Sequence, residues 1–255
     1  MSKPNRAEIC VVACAEVFVG DGEIMASPMG LIPTIGARLA RATFEPDLLL
    51  TDGVATAIAD LRPVGAEGAQ PAPVIEGWVP FRRVFEMLWL GRRHVMMGAS
   101  QIDRYGNQNI SCVGDWNQPK VQLLGVRGAP GNTINHTTSY WVPRHSPRVF
   151  VEQVDVVCGI GYDRARALGA QAARFHEIRR VVSNLGVFDF DNEQGRMQVR
   201  SRHPGVELAE ICDQTGFELI VPEHVPETRL PTAAELDLLR NVIDPRGLSA
   251  GEVPP

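Results

Sequence analysis

What most constrains this chain is an alternation in its N-terminal part, where helix-spaced segments trade places with short apolar runs bounded by glycine or proline. From Asn5 to Phe18 the apolar residues Ile9, Val12, Ala13 and Val17 recur at helical spacing. Gly20-Asp21-Gly22 ends that helix, because glycine accepts the backbone a helix terminus needs. Glu23 to Ser27 reads as a first strand, stopped by Pro28. Thr34 to Arg41 reads as a second helix, whose Gly36 and Ala37 allow close packing on a sheet. Asp47 to Leu50 is an apolar strand that ends at Thr51-Asp52-Gly53. Buried strands separated by helices predict an α/β fold, with an open, mainly parallel, Rossmann-like sheet and flanking helices.

Further along, Ile75 to Pro80 is extended and Phe81 to Leu90 an amphipathic helix, with Phe81, Val84, Phe85 and Leu88 on the face expected to enter the core. Asp115 to Lys120 is turn-rich, and Val121 to Val126 reads as a strand. Arg148 to Val157 is β-patterned, with Glu152, Gln153 and Asp155 as solvent-facing positions, and Gly159 to Gly169 is a loop. Arg179 to Phe190 and Met197 to Ser201 form two strands around the turn Asp191 to Gly195, a small antiparallel edge near the C-terminus. Glu207 to Thr215 is a helix, Phe217 to Val221 a strand, and Thr232-Ala233-Ala234-Glu235 a capping box ahead of Leu236, Leu239 and Ile243. Ser249 to Pro255 is expected to fray. The Pro-, Gly- and Ala-rich stretch from Arg62 to Pro73 reads as a surface loop, not a linker, so residues 1–255 are taken as one domain.

A net charge of -5 argues against general nucleic-acid binding, which needs a basic face. Two local basic clusters, Arg82-Arg83 and Arg92-Arg93-His94, read as a solvated helix face before they read as a phosphate site. The five cysteines lack a CxxC pair or metal-ligand spacing, which suits reduced thiols and predicts no metal site. No secretory signal or apolar run of membrane-spanning length is present, so a cytoplasmic protein that does not engage a membrane is expected.

Two stretches look functional. His94 to Ser111 runs from an apolar strand into a polar loop carrying Gln101, Asp103, Arg104, Asn107 and Asn109. In an α/β sheet such a loop is where ligands sit, although spacing alone favours a tight surface turn with an Asp-Arg pair. The second is Arg127-Gly128-Ala129-Pro130-Gly131-Asn132, whose glycines let backbone approach a ligand. A helix opening at Thr133 would aim amides above this loop at an oxyanion, and Arg127 would add a permanent charge for a carboxylate or enolate. An ordinary glycine turn with a surface arginine is the plainer alternative.

The motif Gly98-Ala99-x-Gln101-x-Asp103-x-x-Gly106-Asn107-x-Asn109 resembles the β subunits of class I CoA-transferases, especially the glutaconate type. So do Gly128-x-x-Gly131-Asn132, Phe150-Val151-Glu152-x-Val154-Asp155 ahead of Gly161-Tyr162, His203-Pro204-Gly205-Val206 and Thr215-Gly216-Phe217-Glu218, in the family's order. Within the family the chain looks most like the β subunits of actinobacterial CoA-thioester ring hydrolases of steroid breakdown. The resemblance implies an active site shared with an α subunit, in an α2β2 assembly, and an acyl-CoA substrate with no further cofactor. It implies substrate contacts at Thr51, Asp52, Gly53, Gln101, Gly128, Gly131 and Asn132, with Asp103, Asn107 and Asn109 shaping the loop. The family's nucleophilic glutamate falls at Thr51 or Asp52, depending on a one-residue shift. Neither residue is equivalent to it, since Thr has no carboxylate and Asp is one methylene shorter. The implied reaction is therefore hydrolytic, retro-Claisen opening of a cyclic β-keto acyl-CoA, with the acid-base carboxylate on the partner and Arg127 stabilising the enolate. CoA transfer and a non-catalytic stabilising role are the alternatives.

Overall fold

In the computed structural model of the chain, every residue of helix α1 (Arg6–Glu16) from Ala7 to Ala15 is buried. A helix covered on all sides is a core element. Its one acidic residue inside, Glu8, closes a capping box with Asn5 and takes the Arg240 guanidinium at 2.7 and 2.9 Å. Burial pushes that carboxyl up, but the bonds from Arg240 and Asn5 outweigh it and hold it below its ordinary range. The structure describes residues 2–65 and 71–253. Residues 66–70 of the loop expected at Arg62 to Pro73, and the last two of the end expected to fray, lie outside the described residues. The chain packs as two units, one formed by residues up to Met96 with those from Arg229 onward, the other by Met97–Thr228.

In the first unit, strand β1 (Met25–Pro28) is followed by α2 (Leu31–Thr43). The tight contact expected between Gly36 and a sheet is instead made on α1: a Cβ at Gly36 would lie 3.0 Å from both the Ala15 nitrogen and Cys14 Cβ. The strand expected at Asp47 to Leu50 contracts to a single bridge between Leu49 and Met25, because turns close on both ends of the three leucines. Beyond it, β2 (Thr56–Ile58) pairs antiparallel with β3 (Ile75–Trp78), a ribbon the apolar pattern did not reveal. Helix α3 (Phe81–Trp89) forms as expected, but its apolar face stays outside: Phe81 is 69% exposed, Phe85 43% and Trp89 62%, and only Leu88 is buried. Strand β4 (Arg93–Gly98) pairs parallel with β1, Ala26 opposite His94. His94 Nδ1 meets Asp21 Oδ2 at 2.7 Å, with both side chains almost fully buried.

The second unit opens on two hairpins, β5 (Gln101–Ile102) with β6 (Gln108–Asn109), and β7 (Cys112–Asp115) with β8 (Gln118–Gln122). The strand expected at Val121 to Val126 therefore ends at Gln122, and the turn-rich segment before it is the tip of a hairpin. Helix α4 (Ala129–Asn135) leads into β9 (Thr137–Val142), which pairs parallel with β10 (Glu177–Ser183). Antiparallel pairing follows, through β11 (Gly186–Asp189) to β12 (Gln198–Arg202). This is the expected α/β fold, with a mainly parallel central sheet and a C-terminal antiparallel edge.

Four further expectations in this unit change. Arg179 to Phe190 is two strands, because Ser183 Oγ accepts from the amides of Leu185 and Gly186 and turns the chain there. Arg148 to Val157 forms no strand beyond a bridge from Phe150 to Ile102. Its pattern reflects Phe150 and Val154 inserting into the interior, Phe150 stacked on His145 with ring centroids 3.6 Å apart. Gly159 to Gly169, expected as a loop, contains helix α5 (Tyr162–Leu168). After α6 (Leu208–Asp213), the strand expected at Phe217 to Val221 is one bridge, from Ile220 to Gln198.

The chain then returns to the first unit. Thr232 and Glu235 form the expected capping box at α7 (Ala233–Leu238), and Arg229 grips Glu235 with two bonds of 2.8 Å. Leu236, Leu239 and Ile243 are buried. The end expected to fray from Ser249 is docked instead: Asp244 accepts from the amides of Leu248 and Ser249, and Glu252 Oε2 accepts from Ile32 at the start of α2. A carboxylate suits that helix end. Among the described residues no helix is long and apolar enough to cross a membrane.

Gly161 bears a sharp steric constraint, since a Cβ there would collide with the Tyr105 carbonyl and lie 2.7 Å from the Asn107 nitrogen. Gly161→Ala should destabilise the fold by about 1–3 kcal/mol, the usual cost of overpacking. Thermal denaturation should show the loss; an unchanged midpoint would mean the loop yields at little cost.

Candidate active site

Thr51, Asp52 and Gly53 lie on the turn between the Leu49 bridge and β2. Asp52 is exposed, yet its carboxylate is fully engaged. Oδ1 accepts from the amides of Val54, Ala55 and Thr56 at 2.8 to 3.0 Å, and Oδ2 accepts from the Thr56 hydroxyl at 2.7 Å. These bonds, the Thr56 amide foremost, hold the carboxyl far below its ordinary range. Gly53 takes the left-handed backbone the turn requires, φ 77°, and donates to Thr51 Oγ. An aspartate so occupied stays ionised and shapes its own turn, which makes it a poor nucleophile and a poor base.

This turn borders a cavity of about 420 Å³. Met25, Leu50, Val79, Phe81 and Val84 give it apolar walls; its charged lining residues are Asp52, Arg38 and Arg93. The basic cluster at Arg92-Arg93-His94 is not the solvated helix face the sequence suggested. It opens β4, and only Arg92 is exposed. Arg93 is 9% exposed, donates from Nε to Ser27 Oγ at 2.8 Å, and is pushed down to about 10 by burial. Arg38, on α2, donates to the Arg62 carbonyl and is likewise lowered by burial. Sequence reading passed over Arg38 because one arginine on a helix carries no signal. It undervalued Arg93 because a charge run gives no sign of which member turns inward.

In the second unit, Gln101 is buried and its carboxamide is engaged at both ends. Oε1 accepts from Asn109 Nδ2 at 2.7 Å and the Asp155 amide at 3.0 Å, and Nε2 donates to Asp155 Oδ2 at 3.0 Å. Asp155, expected simply to face solvent, also accepts from the Gly114 amide. Asp103 takes the amides of Tyr105 and Asn107 and the Asn107 side chain. Burial nonetheless pushes its carboxyl up. Asn107 also reaches Asp163 Oδ1 and accepts from the Gly161 amide at 2.7 Å. Asn109 spans to the Cys112 carbonyl and the Ser111 amide.

The second loop differs from expectation in where its helix begins. Helix α4 starts at Ala129, not Thr133, so Gly131 and Asn132 are helical residues. The Ala129 amide donates to the Val126 carbonyl and the Asn132 amide to Gly128, so neither is a free donor above the loop. The Asn132 side chain is buried, donating to Met97 Sδ and meeting His136 Nε2. Gly128 is exposed and Gly131 half-buried. Arg127 is exposed with φ 49°, the one non-glycine residue with a positive φ among those described. An L-residue held in that region costs roughly 1–2 kcal/mol, and such strain collects at functional sites.

The model of the coenzyme A transferase family matches residues 11–214. The chain is 55% identical to the cholesterol ring-cleaving hydrolase IpdB subunit of Rhodococcus jostii (strain RHA1), over 99% of this chain and 98% of that one. It is 56% identical to the protein of the same name from Mycobacterium tuberculosis (strain ATCC 25618 / H37Rv), over 98% of each. The crystal structure of Rhodococcus jostii RHA1 IpdAB matches with a TM-score of 0.93 and 54% identity, covering 100% of both chains. The chain thus belongs to the coenzyme A transferase family.

Proposed function

We propose that this chain is the β-type subunit of a two-subunit enzyme that opens a ring of a cyclic β-keto acyl-CoA by hydrolysis, as in cholesterol ring cleavage. The observation that carries this reading is Asp52. On the turn where the resemblance places the transferase glutamate, the sole carboxylate is shorter and already holds four hydrogen bonds. A covalent glutamyl-type thioester has no group to form on here. Near full-length identity to ring-cleaving hydrolase subunits supports the same reading.

In the proposed reaction water adds to the ring ketone. The bond from that carbon to the thioester α-carbon breaks, its electron pair enters the thioester enolate, and a proton returns to the α-carbon. The product is a ring-opened acid still joined to CoA. The acid-base carboxylate comes from an α subunit, in an α2β2 assembly, and CoA enters as part of the substrate with no other cofactor. Arg127 meets the enolate, since a fixed cation gains strength where charge develops. With α4 starting at Ala129, Arg127 carries more of that role than amides near Gly131. The five free cysteines fit a reducing, cytoplasmic setting.

The test is to co-purify the chain with its α subunit, supply a cyclic β-keto acyl-CoA in heavy-oxygen water, and follow the products by mass spectrometry. Heavy oxygen in a ring-opened acid bound to CoA is expected. CoA appearing on an added acid, with the ring intact, would return the chain to the transferases.

Two substitutions sharpen this. Asp52→Asn keeps an acceptor for the three amides, so turnover should fall no more than about tenfold, whereas loss of an acyl nucleophile removes several orders of magnitude. Arg127→Gly should relieve the strained backbone and stabilise the fold by up to about 1 kcal/mol. The same variant should lower kcat about 10²-fold, while Arg82→Ala, on α3, leaves it unchanged. Equal losses from Arg127 and Arg82 variants would remove Arg127 from the mechanism.

A further inference from the structure

Arg127 and Gly128 lie inside a turn closed by the bond from the Ala129 amide to the Val126 carbonyl. A non-glycine residue at φ 49° persists only where the surrounding structure holds it there. Residues 158–161 hold both flanks. Upstream, Leu123 and Leu124 donate to the carbonyls of Ser111 and Ile110 at 2.8 and 3.1 Å, and Cys158 Sγ accepts from the Ile110 amide at 3.4 Å. Downstream, the Thr133 hydroxyl accepts from the Ile160 amide at 3.0 Å and donates to the Ala129 carbonyl at 3.1 Å. Between these contacts the segment is clamped to Gln108. The amides of Cys158 and Gly159 donate to the Gln108 carbonyl, and the Gln108 amide donates to the Gly159 carbonyl at 2.9 Å. Gly159 comes so near α4 that a Cβ there would lie 2.8 Å from Thr133 Cγ2.

We propose that Thr133 is a positioning residue for Arg127: its hydroxyl ties the start of α4 to the Ile160 amide and so fixes the turn that carries the arginine. A threonine hydroxyl bonded to the carbonyl four residues back is common in helices and by itself merely bends them. Thr133 does more, because the same oxygen takes an amide from outside the helix and the residue is fully buried. Its carbonyl is held as well, by His176 Nδ1, which donates to it at 2.6 Å. Deleting the hydroxyl takes the Ile160 amide's acceptor away and frees the Ala129 carbonyl. A displacement of about 1 Å at a charge-stabilising group can cost on the order of 10²-fold in rate. The effect on turnover rests on the reading of Arg127 as the group that meets the enolate. The brace itself does not.

In the complex with the α subunit, Thr133→Val should lower kcat for a cyclic β-keto acyl-CoA roughly tenfold and leave KM within about twofold. Thr133→Ser keeps the hydroxyl and should restore most of kcat. Thr43→Val, which deletes a similar bond to the Leu39 carbonyl on α2, should change neither. Added to Arg127→Ala, Thr133→Val should cost nothing further, because a residue that acts through another gives non-additive losses. Unchanged kcat in Thr133→Val, equal losses in the Val and Ser variants, or a loss that adds in full to that of Arg127→Ala would overturn the proposal. Should Thr133→Val fail to fold, Thr133→Ala, which relieves any crowding against Gly159, carries the same tests. Hydrogen exchange of residues 124–132 in the same complexes separates this proposal from the hydrolase reading. If no ring-opened acid gains heavy oxygen, that reading falls; faster exchange in Thr133→Val, reversed in Thr133→Ser, then keeps the brace, and unchanged exchange removes it.

Discussion

A buried carboxamide carries two donors and two acceptors, and leaving one unmet costs about 1–3 kcal/mol. The second unit turns that cost into rigidity. Gln101, Asn107 and Asn109 sit inside; Gln101 and Asn107 join segments far apart in sequence, to Asp155 and to Gly161 and Asp163, while Asn109 closes locally on the Cys112 carbonyl. Once these bonds form, the β5–β6 hairpin, the irregular crossing at Phe150 to Asp155 and the start of α5 become one body. Gly161 is glycine because the Tyr105 carbonyl leaves no room for a Cβ. The loop that carries Arg127 leads off from this body, which gives a strained arginine something firm to be strained against.

Two aspartates show how environment divides one residue type between roles. Asp103 is buried and pushed up despite three amide-type donors, and serves as a structural acceptor. Asp52 is exposed and pushed down by the amides of its own turn. Asp52, held low and spent on its own turn, is not poised for proton transfer, which requires a group that titrates close to the operating pH.

Helix α3 and strand β4 separate pattern from burial. Phe81, Val84, Phe85 and Leu88 have the spacing of a core face, yet the first unit already has its interior in α1, α2 and the β1–β4 pair, and α3 is left largely outside. Arg93 does the reverse: a charge in a basic run becomes part of a cavity wall because strand alternation turns it toward Ser27. Spacing states which residues share a face; it does not state whether anything covers that face.

Much was readable in the sequence. The alternation of helix and buried strand led to the α/β fold, the Thr232 cap marks a helix start seen in the structure, and the Gly98–Asn109 and Gly128–Asn132 motifs led to the family. These signals are local, carried by neighbouring residues or by short motifs, and so survive without coordinates. The tertiary structure alone decided that Asp52 is spent, that Gln101 is a clasp, that α4 begins at Ala129 and bends Arg127 into a left-handed backbone, and that Arg38 and Arg93 share a cavity. Hydrogen-bond occupancy and desolvation depend on what the rest of the chain brings within a few ångströms, and a linear string of residues does not contain that information.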